Sequence, residues 1–127
     1  MTVTLYYANT SAVQVPPQGG PVLKLRLPTT GLFALFGKLW LDNPSTNPLA
    51  PAPKASLTTL DGETTLDQVG IPIGALSQAN ASLLGWVDTG VQTANEIVDI
   101  RFDRGGFALM TSSLFAMSVD AITFAGV

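Results

Sequence analysis

Apolar and polar residues alternate along most of this chain, and that period of two belongs to strands rather than helices. In residues 2–8, Val3, Leu5 and Tyr7 share one parity while Thr2, Thr4 and Tyr6 share the other. In residues 22–27, Leu23, Leu25 and Leu27 alternate with Lys24 and Arg26. In residues 96–103, Val98, Ile100 and Phe102 alternate with Asp99, Arg101 and Asp103. Each is the pattern of a strand with one buried and one wet face. No window of helical length carries a stripe at a period of 3.6, so the chain reads as all-β.

Turn residues divide the strands. Residues 57–66 form a near palindrome about Asp61-Gly62, a pair that accepts the positive φ angles of a two-residue type I′ turn. That turn predicts a hairpin with Thr59 opposite Thr64, Thr58 opposite Thr65 and Leu57 opposite Leu66. Arg104-Gly105-Gly106 marks a second turn, and residues 16–21 form a loop. Residues 43–53 hold Pro44, Pro48, Pro51 and Pro53 and cannot pair as a central strand, which suits a connection crossing between two sheets. Within 107–124 the apolar parity changes, so a bulge or bend is expected near Asp120 and another near Ser112-Ser113. Eight or so strands with this punctuation predict an antiparallel two-sheet sandwich, jelly-roll-like, with an immunoglobulin-like sandwich as the alternative topology.

A chain of 127 residues is the size of one domain, and residues 1–127 are read as a single β-sandwich. Only 12% of the residues are charged, about half the usual share of ~25%. Such a charge-poor surface favours association over dispersal in water. Two segments sharpen that expectation by being apolar on both parities. In 31–42, Phe33, Leu35, Leu39 and Leu41 oppose Leu32, Ala34, Phe36 and Trp40. In 107–124, Phe107, Leu109, Phe115, Met117 and Val119 oppose Ala108, Met110, Leu114, Ala116, Ile122 and Phe124. A sandwich strand needs one apolar face only, so the second must be covered by the chain's own loops or by another chain. The expectation is a homo-oligomer formed through Leu32, Phe36, Trp40, Met110 and Leu114.

The chemistry available to the chain is sparse. It has no His and no Cys, which removes the usual base for an activated serine and the usual soft metal ligands. Lys54 and Ser56 share a strand face without an oxyanion loop, and Gly19-Gly20 and Gly105-Gly106 are too short for a phosphate loop; no cofactor is expected. The oxygen-rich stretches at 42–47 and 61–63 lack the spacing of an EF-hand and read as turns, not calcium sites. Asp99 and Asp103 share a parity and would serve a carboxylate-based hydrolase only if they faced one cleft. With Arg101 between them they read as an outward charged ladder. A net charge of −3, with the basic residues in the short pairs Lys24/Arg26 and Arg101/Arg104, argues against nucleic acid.

Residues 1–10 lack a basic, apolar leader and no segment is long enough to span a bilayer, so no membrane partner is expected and a soluble, cytoplasmic location is the default. The alternative to assembly is a carbohydrate-binding module, with Trp86 as a stacking platform and Asp88 as its hydrogen-bonding partner.

Overall fold

The computed structural model describes residues 3–90, 96–123 and 125–126. Eight strands run in the order β1 (Leu5–Val15), β2 (Gly20–Leu27), β3 (Leu32–Asn43), β4 (Lys54–Thr59), β5 (Thr64–Gly70), β6 (Ser77–Asp88), β7 (Glu96–Phe102) and β8 (Phe107–Val119). They form two four-stranded sheets, ordered β1-β8-β3-β6 and β2-β7-β4-β5. All pairings are antiparallel.

The pairing has a simple logic. β4 pairs with β5, β3 with β6, β2 with β7 and β1 with β8. The chain is therefore one long nested hairpin, rolled so that successive pairs fall alternately in the two sheets: a jelly roll. The innermost turn of the nest is the palindrome around Asp61-Gly62. Connection 43–53 crosses from β3 in one sheet to β4 in the other, as the prolines predict. Its start is tied down by Asn43, fully buried, whose side-chain amide donates to the carbonyls of Asn47 (2.9 Å) and Gly74 (3.1 Å).

The core lies between the sheets. Phe33, Leu35, Leu39 and Leu41 of β3 meet Val98, Ile100 and Phe102 of β7 in one buried cluster that also takes in Leu23, Leu25 and Leu27. Gly37 interrupts the inward row of β3 for a steric reason. A Cβ there would lie 2.9 Å from Ile100 Cδ1 and 3.4 Å from Leu83 Cβ, so the missing side chain makes room for its neighbours.

The predicted central hairpin forms with a different turn. Thr59 pairs with Thr64 and Thr58 with Thr65, but Leu57 pairs with Asp67, leaving Leu66 as the extra residue of a bulge. Instead of a two-residue type I′ turn, Leu60–Gly62 form a 3₁₀ turn, with Leu60 at φ 53 and Gly62 at φ 98. Contacts from β7 explain the difference. The Leu60 amide donates to Glu96 Oε1 at 2.6 Å, and the Arg101 guanidinium packs where a side chain at Gly62 would stand. A tertiary anchor thus overrides the local preference for the tighter turn.

Two further expectations are corrected. In β1, Leu5 and Tyr7 face outward and Tyr6 and Ala8 pack against the core, the reverse of the apolar-inward reading. The parity break in β8 lies at Met110, between the pairs Trp40↔Thr111 and Leu41↔Leu109, not at Ser112-Ser113. The strand opposite accommodates it: Ala12 of β1, between the pairs Ser11↔Thr111 and Val13↔Leu109, sits in the left-handed region at φ 56. Both strands switch faces there. Phe107, Leu109, Leu114 and Ala116 all point into the core, although they belong to two parities. β8 ends at Val119 and residues 120–123 form no strand, while Phe124 lies outside the described residues.

Candidate interaction face

The outer face of the β1-β8-β3-β6 sheet follows from alternation and register. On β3 the outward residues are Leu32, Ala34, Phe36, Lys38 and Trp40, since Phe33, Leu35, Leu39 and Leu41 are buried. Cross-strand pairing then sets their neighbours. Phe36 lies between Phe115 of β8 and Leu84 of β6, and Phe115 in turn pairs with Tyr7 of β1. The next row holds Leu5, Met117, Ala34 and Trp86. Toward the other end of the sheet, Ser113 pairs with Asn9 and Lys38, and Lys38 with Ser82. Beyond them Thr111 pairs with Ser11 and Trp40, and Trp40 with Asn80.

The face is therefore divided into an apolar end and a polar end. At the apolar end Leu5, Tyr7, Phe36, Leu84, Trp86 and Ile122 each keep 41–60% of their surface exposed. The Tyr7 and Phe115 rings pack in a tilted contact, centroids 4.7 Å apart. Ile122, from the segment after β8, joins Ala34, Leu84, Gly85 and Trp86 in lining a groove of about 320 Å³. The crossing loop 43–53 does not serve as a lid here. Its backbone is engaged elsewhere, Leu49 donating to the Ile73 carbonyl and the Pro53 carbonyl accepting from Ile71.

Of the residues expected to mediate self-association, Leu32 and Phe36 lie at the apolar end. Trp40 also faces outward but stands among polar side chains, and its indole Nε1 donates to Gln78 Oε1 at 3.1 Å. Met110 is the half-buried extra residue of the bulge. Leu114 is a correction: it is fully buried between the sheets, because the bulge at Met110 reverses the parity of everything after it. The outward residues of β8 are instead Phe115 and Met117. Sequence reasoning saw both as apolar but assigned them to the core face, and it missed Leu5, Tyr7 and Leu84 as members of the patch.

The predicted sugar-binding pair is separated in role. Trp86 is exposed, and its surroundings are mostly apolar: Leu32, Ala34, Leu84 and Ile122, with Thr65 and Thr123 also lining the grooves beside it. Asp88 Oδ1 accepts from the Gly90 amide at 2.9 Å, closing the turn that follows β6.

The charged ladder on β7 is also revised. Asp99 keeps the outward parity it shares with Arg101, but it is fully buried rather than solvated. It accepts from Thr58 Oγ1 and is clamped by Arg101, whose Nε lies 3.1 Å from Asp99 Oδ1 and whose Nη2 bonds Oδ2. Glu96, also buried, accepts from Thr59 Oγ1 and from the Leu60 amide. Asp103 Oδ1 accepts from the Lys54 amide at 2.8 Å. These carboxylates hold β7 to β4 and to the central turn. The hydrolase geometry, with Asp99 and Asp103 facing one cleft, does not form.

Among the described residues no group of three or more Asp or Glu is placed to hold a metal ion. No helix among them is long and apolar enough to cross a membrane.

No protein-family model and no curated protein matches this chain. Solved structures do. Murine APRIL, crystallised at pH 5.0, superposes with a TM-score of 0.60 at 11% identity over 91% of this chain and 100% of that one. The globular domain of the zebrafish complement 1qA protein gives 0.56 at 6% identity, over 94% of this chain and 98% of its own. At these identities the likeness is one of architecture: the chain is an all-β, two-sheet jelly-roll sandwich of the kind those proteins adopt.

Proposed function

We propose that this protein is a non-catalytic assembly subunit that associates with copies of itself through the apolar end of the outer β1-β8-β3-β6 face. The observation that carries the reading is the unbroken apolar band across all four strands, from Leu5 and Tyr7 through Phe115, Met117 and Phe36 to Leu84 and Trp86. With strands about 4.8 Å apart and about five residues of ~3.4 Å each, the band covers on the order of 300 Å² in projection. A contiguous exposed apolar patch of that size marks a site of association.

A second copy is the occupant that fits. The two rows Tyr7-Phe115-Phe36-Leu84 and Leu5-Met117-Ala34-Trp86 carry no charge, with Asp88 at their margin beside Leu32, and a closed symmetric arrangement buries the same patch on each subunit. The low charge of the whole chain points the same way. Leu32, at the margin of the band, and Phe36, at its centre, retain the role expected of them. The buried carboxylates of β7 fit a structural rather than a catalytic part.

Fluorescence tests this directly. The chain has two Trp residues, so a Trp40→Phe variant leaves Trp86 as its sole indole reporter. Its emission is expected to be blue-shifted in the assembled protein and to move red when the further change Phe115→Asp is made. Red, water-exposed emission from Trp86 at every concentration up to tens of micromolar would overturn the proposal.

A further inference from the structure

We propose that the polar end of the same face carries a binding site for a pyranose glycan, centred on Trp40 and independent of the assembly reading. Trp40 keeps 37% of its surface exposed, in the middle of the sheet rather than at its edge. The bond from its indole Nε1 to Gln78 favours one orientation of the ring, which lowers the entropic cost of presenting an aromatic face. Around it runs a groove of about 250 Å³ lined by Lys38, Asn80, Ser82 and Thr111 together with Leu39 and Ala81.

The residue types match what a sugar ring demands. A pyranose has one apolar C–H face, which packs on an aromatic plane, and an edge of hydroxyls that must exchange water for donors and acceptors. Asn80 offers both through one carboxamide, Ser82 and Thr111 offer hydroxyls, and Lys38 offers a charged donor. A groove of this size, just below the usual ~300 Å³ of ligand pockets, suits one ring of an oligosaccharide. Trp86 has a more apolar setting. The grooves beside it are lined mainly by Leu32, Ala34, Leu84 and Ile122, with Thr65 and Thr123 as polar members, and Asp88 Oδ1 accepts from the Gly90 amide.

The test is binding of the full chain to an array of immobilised hexose- and hexosamine-containing oligosaccharides, neutral and acidic. Wild type is expected to retain a subset of them. Trp40→Ala and Asn80→Ala should each weaken that binding by about tenfold or more, the equivalent of a lost stacking contact. Trp40→Phe should restore part of it, and Trp86→Ala should leave it unchanged. Circular dichroism shows whether each variant is folded. Running the array with Phe115→Asp as well separates the two proposals, because the glycan signal should survive loss of the assembly. No retained glycan on wild type, or binding indifferent to Trp40→Ala, overturns the site.

Discussion

Aspartate at Phe115 is expected to yield a folded 13.3 kDa monomer, whereas aspartate at the neighbouring Leu114 is expected to unfold the chain. The two residues share a strand but face opposite ways. Leu114 is fully buried among the inward residues of both sheets. Truncating such a leucine already costs about 2–5 kcal/mol. Placing an unpaired carboxylate there adds several kcal/mol more, against a total domain stability of about 5–15 kcal/mol. Phe115 points outward against Tyr7, where a carboxylate remains hydrated and disturbs only the meeting of two apolar bands. Far-UV circular dichroism and solution mass read both outcomes. If Phe115→Asp also unfolded the chain, the assignment of outward residues on β8 would be wrong; if it folded with its mass unchanged, the association through this band would be.

The second large effect is expected at the buried carboxylate of β7. Arg101→Met removes the guanidinium from Asp99, leaving a fully buried carboxylate with the Thr58 hydroxyl beside it. Breaking a buried pair from one side costs about 3–5 kcal/mol; because Arg101 itself is 30% exposed, about 3 kcal/mol is the expected fall. Replacing the set together, as Thr58→Val, Asp99→Leu and Arg101→Met, should recover most of that loss, since it removes the buried carboxylate along with its guanidinium and hydroxyl partners. Urea unfolding gives both values, with the midpoint moving and the slope unchanged. A single Arg101→Met variant as stable as wild type would show that the clamp does not hold the sheet.

Much of the fold was legible because it is written in local pattern. The alternation of β2 and β7 gave their inward apolar residues directly. The prolines of 43–53 marked the crossing between sheets. The palindrome at 57–66 marked the centre of the nested hairpin, and two of its three predicted pairs form. What was not legible depends on partners distant in sequence. Nothing local marks Ala12 as left-handed; it is so because Met110 bulges on the strand opposite. That coupled pair of irregularities decides which half of β8 faces water, and so moved Leu114 inward and Phe115 outward. Leu5 and Tyr7 alternate as a buried row would, and only the pairing of β1 with β8 puts them outside. Asp99 read as a solvated charge because the Thr58 hydroxyl that helps bury it comes from β4, 41 residues away.

The candidate face was legible in kind and less so in membership. Two doubly apolar segments implied surplus apolar surface, and the outer sheet carries it. The split into an apolar and a polar end, which sets Phe36 apart from Trp40, arises from four strands laid side by side and is invisible in any one of them.

Sedimentation equilibrium of the wild-type chain at micromolar concentration probes the central claim most directly. A particle whose mass is an integral multiple of 13.3 kDa, reduced to one chain by Phe115→Asp, is the predicted outcome. A homogeneous single-chain species across the whole concentration range would contradict it.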